Sequence, residues 1–150
     1  MRLSSVFVPL GLTLLVGFAP VARTRAGGLL GALYDSCLGT LGEPVNYTHL
    51  AVPAPGAEVY AFRQAGWLVT VFFWKHQAHL IVYEKPAGAN ILPAEADAIL
   101  RGYGDALPWT RRNDGHRVRR DGRAKARVSA TEVAIFSTEF DQANSLYVNP

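Results

Sequence analysis

Leu30, Leu33, Tyr34, Cys37, Leu38 and Leu41 follow one another at i, i+3, i+4, i+7, i+8 and i+11. That spacing is an apolar stripe of helical period, and Gly42 and Pro44 stop it. Residues 45–57 read as a loop from their Pro, Gly and Ala content. From residue 58 the period becomes that of strands. "EVYAFRQ" (58–64), "WLVTVFFW" (67–74) and "AHLIVYEK" (78–85) are rich in β-branched and aromatic residues. Only Ala65-Gly66 and Lys75-His76-Gln77 separate them, which predicts an antiparallel meander. The middle run is apolar at both parities, so it is expected to be central and at least partly covered on each face. Phe72 and Trp74 share one face; Trp67, Val69, Val71 and Phe73 share the other.

The pattern then repeats in outline. Pro93 occupies a first-turn position, and Leu92, Ala96, Ile99, Leu100 and Tyr103 make a second helical stripe running to about Arg101. Gly102 and Gly104 end it, and Trp109 follows in an expected turn. Asp121-Gly122 is a tight-hairpin signature inside the Arg-rich run, predicting strands near 116–120 and 123–129. "VAIFSTEF" (133–140) reads as a strand, and the polar tail after Phe140 is expected to fray. The order α-βββ-α-βββ alternates no single strand with a helix. It therefore predicts an α+β fold, an antiparallel sheet with two helices packed on one face. The two α-βββ halves suggest a degenerate internal repeat.

Residues 1–26 read as a signal peptide: Arg2, an uncharged apolar run over 6–22, and Thr24-Arg25-Ala26 as a cleavage site. Residues 27–150 then form a single domain, exported to the periplasm or secreted. The alternative is an uncleaved N-terminal anchor. The whole chain carries 15 basic and 12 acidic residues. The leader removes Arg2, Arg23 and Arg25 and no acid, so the remainder is neutral overall. Within it "RRNDGHRVRRDGRAKAR" (111–127) holds eight Arg or Lys against Asp114 and Asp121. The informative feature is this asymmetry inside a small domain, not the net charge. The lone cysteine, Cys37, excludes an intrachain disulfide, and its place in the leucine stripe predicts a buried free thiol.

Candidate chemistry is sparse. His76 and His79 form H-x-x-H, but they straddle a turn and a strand start with no Glu or Cys at ligand spacing. They read as a turn histidine and a surface strand histidine, with no metal and no cofactor expected. Ser36 lacks a nucleophile-elbow setting, and Glu43, Glu58, Glu84, Glu95 and Asp97 are scattered, so no catalytic residue is assigned. Asn46-Tyr47-Thr48 matches a glycosylation acceptor. The remaining feature is the hairpin. A two-residue turn at 121–122 sets Arg120 against Arg123, Val118 against Lys125 and His116 against Arg127. Arg120, Arg123, Lys125, Arg127 and His116 then share one face, the candidate anion-binding set. Ala124, Ala126 and Val128 share the other, with Arg117 and Arg119 near its edge. Such a face suits an anionic envelope polymer or a lipid headgroup. It equally suits self-association through the acidic remainder, or simple solvation. Nucleic acid is disfavoured for an exported chain. The expected function is a non-catalytic interaction module. The alternatives are a small enzyme using His76 or His79 with a carboxylate, and a self-associating structural protein.

"YDSCLGTLGEP", "GWLVTVFFWKHQAHLIVYEKP", a second helix, Trp109, "DGRAKA" and "VAIFSTEF" together resemble a group of small exported bacterial proteins. The likeness spans most of residues 30–140. It implies export and an α+β build and brings no activity with it. A more distant likeness, through the "LG-P" helix end, is to small lipoprotein domains of the outer-membrane assembly type.

Overall fold

A computed structural model describes residues 28–45, 56–104 and 107–148. The expected leader, most of the 45–57 loop and the Asn46 acceptor lie outside these. The elements in chain order are α1 (Tyr34–Leu41), β1 (Glu58–Gln64), β2 (Trp67–Trp74), β3 (Gln77–Glu84), α2 (Pro93–Gly102), β4 (Trp109–Arg111), β5 (Arg117–Arg119), β6 (Ala124–Val128), β7 (Glu132–Ser137) and α3 (Thr138–Val148). The strands make one antiparallel sheet in the order β1-β2-β3-β7-β6-β5-β4. The fold is α+β, as the order of sequence patterns predicts.

The sheet has a symmetric plan. From the central β3/β7 pair, β2 and β1 run outward on one side, and β6, β5 and the short edge strand β4 on the other. Each half is a helix followed by strands that progress inward to the centre. The segments before the two helices are also held alike. Leu80 is the first β3 residue to pair with β7. The Ala78 backbone beyond it is therefore open, and it takes bonds from Gly31 N–H (2.7 Å) and to Ala32 C=O (2.8 Å). In the other half Ile91 N–H donates to Ala130 C=O at 2.7 Å. This tethering explains why α1 begins only at Tyr34: Leu30 and Leu33 continue the sequence stripe but belong to the strap. Leu33, the N-cap residue, is 57% exposed.

Both meander turns are two residues with positive φ at each position, Ala65 and Gly66 (48° and 84°) and Lys75 and His76 (52° and 66°). This geometry follows the strand twist. A bulge pairs Phe73 with Ala78 but Phe72 with Leu80, leaving His79 as the extra residue. Two cores result. Under α1 and α2, Cys37, Leu41, Ala96 and Leu100 pack with Phe62, Val69, Val71, Ile81, Ala126 and Ile135. On the opposite face Phe72, Leu80, Ala134 and Phe136 pack around Phe140 of α3.

Two local expectations are corrected. Trp109 starts a short edge strand, because the turn after α2 delivers it beside Arg119. The stretch after Phe140 is helix to Val148 and not a frayed tail. Ser137 Oγ accepts from Phe140 N–H at 3.1 Å and caps it, and the fully buried Phe140 ring anchors it.

Candidate anion-binding site

The Arg-rich run folds as the outer ribbon of the sheet, β4-β5-β6. Two aspartates shape its turns: Asp114 Oδ1 accepts from His116 N–H (2.9 Å) and Asp121 Oδ1 from Arg123 N–H (3.0 Å). The His116 amide beside Asp114 and the Arg119 guanidinium beside Asp121 hold both carboxyls below their ordinary range. Val118 pairs with Lys125, the register predicted from the Asp-Gly turn. Ala124 and Ala126 accordingly face the core, and Lys125 and Arg127 face away from it.

Much of the charge is answered within the molecule. Arg117 Nη1 lies 2.8 Å from Asp97 Oδ1 on α2. Arg119 forks onto Asp121 (3.0 and 2.8 Å) and donates to Tyr103 C=O at 3.0 Å. Lys125 Nζ meets Asp141 Oδ2 of α3 at 2.6 Å, and Arg127 meets Glu132 of β7 at 2.7 Å. Of the five predicted anion-binding residues, Lys125 and Arg127 are thus ion-paired. His116 is half-buried, edge-on to Phe136, with Nδ1 3.4 Å from Asp114. Arg120 and Arg123 remain exposed and outside any ion pair among the described residues, Arg123 lying near Asp121, and Arg111 and Arg112 are likewise exposed and unpaired there. Sequence reasoning missed the partner Asp141 because it treated the tail as frayed, and Glu132 because it falls between two strand patterns.

A groove separates the ribbon from α2, and the Arg117–Asp97 pair bridges it. On one side is a cleft of about 430 Å³ lined by Leu100, Arg101, Gly104, Trp109 and the bridge itself. On the other is a cleft of about 310 Å³ whose walls include Ile91, Ala96, Arg111 and Val128. Trp109 is half-buried and its indole orientation is set by Nε1–H donating to Leu100 C=O at 2.8 Å. Gly104 closes the wall where a Cβ would stand 2.9 Å from Leu107 C=O. Arg101 is exposed and without a carboxylate partner among the described residues. Neither Arg101 nor Arg111 was in the predicted set. The period of the second helix placed Arg101 on its outer face, but only the groove gives that face a neighbour.

The histidines do not converge. His76 is exposed in its turn. His79 is 5% exposed, not on the surface as its alternation suggested, because the bulge turns it inward beside Leu80. Its Nδ1 lies 2.7 Å from Ser137 Oγ, with Trp74 edge-on at 5.3 Å and Phe140 stacked at 6.2 Å. Burial lowers its pKa, opposed by Glu139 and aided by Lys75, which pair with each other at 2.9 Å. Ser137 is already committed as a helix cap, and neither residue lines the two clefts above. This is the build of a fastened helix end. Cys37 is 0% exposed, and burial raises its thiol to about 11, far from the thiolate a nucleophile needs. No group of three or more metal-ligating side chains occurs among the described residues.

No protein-family model matches the chain, and no curated protein matches it. Among solved structures it is similar to a cysteine-rich secretory protein of Staphylococcus aureus subsp. aureus Mu50, at 12% identity and a TM-score of 0.45. The match covers 75% of this chain and 46% of the other, so the chain spans about half that protein's length. No helix among the described residues is long and apolar enough to cross a membrane.

Proposed function

We propose that this is an exported, non-catalytic binding module, periplasmic or secreted, whose edge ribbon engages an anionic polymer or surface. One observation carries the reading. After the internal ion pairs are assigned, Arg111, Arg112, Arg120 and Arg123 are left exposed, all on one ribbon and none in an ion pair among the described residues. Exposed cations attract counterions, which a polyanion replaces with a gain in entropy. The patch therefore shifts from the predicted set toward the two ends of the ribbon.

The test is binding of the protein to polygalacturonate and to phosphatidylglycerol vesicles as a function of salt. Each basic residue near an anionic surface contributes about 1 kcal/mol, so Arg120→Gln/Arg123→Gln is expected to weaken binding roughly thirtyfold at low salt. The salt dependence should become shallower and the melting temperature should not change. Unaltered binding by the double variant, or no binding to either probe at low salt, overturns the reading. Salt-reversible dimers in sedimentation would point instead to self-association.

A further inference from the structure

We infer that the groove between α2 and the ribbon is a saccharide subsite, and that the polymer engaged by the ribbon is an acidic polysaccharide. The inference rests on the proposed ribbon reading and deepens it. Three features of the groove point to this chemistry. Trp109 lines the larger cleft with its indole fixed by the Leu100 hydrogen bond. The flat, weakly polar face of a pyranose stacks on such a ring, and the ring loses little freedom in receiving it. Asp97 and Arg117 stand beside it as an acceptor and a planar donor 2.8 Å apart, each partly exposed. Vicinal sugar hydroxyls both donate and accept, so they can bridge these two groups without separating them. Arg101 on one side of the bridge and Arg111 on the other are cations without carboxylate partners among the described residues, set to meet sugar carboxylates along the chain.

Asp97 also argues against a phosphodiester polymer. A base could stack on Trp109 equally well, and arginines would meet phosphates. But single-stranded DNA has almost no free hydroxyls, so the Asp97 carboxylate on the groove wall would find little to accept from it. An acidic sugar offers that carboxylate hydroxyl donors while keeping its own charge for the arginines. The two clefts, about 430 and 310 Å³, each have room for about one sugar unit. The ligand is therefore a short run of an acidic glycan crossing the Arg117–Asp97 bridge.

The experiment follows the Trp109 indole N–H resonance during titration with oligogalacturonate, with a neutral oligosaccharide and with single-stranded oligothymidylate, all at one ionic strength. Oligogalacturonate is expected to move the resonance saturably. Trp109→Phe, followed by calorimetry because it lacks that resonance, keeps a smaller ring and should weaken binding about threefold. Arg120→Gln/Arg123→Gln should raise the concentration needed while leaving the final shift unchanged. If oligogalacturonate binds without moving the resonance, the ribbon reading stands and the groove is not the subsite. If oligothymidylate moves it as far and as tightly, the saccharide assignment is wrong. If nothing binds, both readings fail. The wild-type titration decides among these even if Trp109→Phe does not fold.

Discussion

The two halves of the sheet follow one path and solve different problems. In the first, β2 is buried along most of its length: Val69, Thr70, Val71, Phe72 and Phe73 are all covered. In the second, the strand in the matching place is β6, where Ala124 and Ala126 alternate with Lys125 and Arg127. One half fills both faces of the sheet with large side chains. In the other half β6 gives mainly the small Ala124 and Ala126 to the core and turns Lys125 and Arg127 to its other face. The comparison teaches that a shared topology does not impose a shared composition. A central strand needs volume on both sides, but a ribbon near the edge needs only residues small enough to let α2 settle onto it. Its charges are held by neighbours from elsewhere in the chain: Asp97, Asp141 and Glu132.

If that contrast is right, truncation should hurt the first half most. Phe62 of β1 is fully buried in the larger core. Phe62→Ala is expected to cost about 3–5 kcal/mol in denaturant unfolding. A cost near zero would mean the meander is loosely packed and the contrast false. The second half should be sensitive in the opposite sense, to added volume. Ala126→Leu puts three more carbon atoms where Ala126 is wholly covered, and is expected to cost about 1–3 kcal/mol. A neutral result would show spare room under α2.

A smaller effect sharpens the first half alone. Thr70 is 1% exposed and its Oγ1 has no hydrogen-bond partner among the described residues. Thr70→Val keeps the shape and removes the orphan hydroxyl, so unfolding free energy should rise by about 1 kcal/mol. A loss of that size would place a hydrogen bond on the hydroxyl. The smallest effect lies where the halves meet, at His79 beneath the first turn of α3. Its folded pKa is lowered, chiefly by burial, from an ordinary 6.5. The neutral ring is therefore the form that stabilises the fold. That contribution is complete above about pH 6.5 and is lost as pH falls through the lower folded value. Between pH 7 and 5 the wild-type stability should decline more steeply than that of His79→Gln, as read from urea midpoints at each pH. Equal slopes would show that the imidazole titrates alike in the folded and unfolded chains.

Short-range pattern in the sequence determined much of this protein. The meander, the second helix, the face assignments of β2 and the Asp-Gly register were all legible, because each depends on residues within a few positions of one another. The α+β class followed from their order, and the burial of Cys37 from its place in a helical stripe. Tertiary structure alone decided the rest. The start of the first stripe became a strap because β3 outruns β7 and leaves that edge of the Ala78 backbone open to Gly31 and Ala32. His79 turned inward because a bulge, invisible to simple alternation, shifted the parity of β3 by one residue. The fate of each cation depended on carboxylates far away in sequence, so the predicted patch lost Lys125 and Arg127 to Asp141 and Glu132. The groove formed by α2 and β4 gave Trp109, Arg101 and Arg111 a common surface for the same reason: local pattern sets which face a side chain takes, but only packing sets what that face meets.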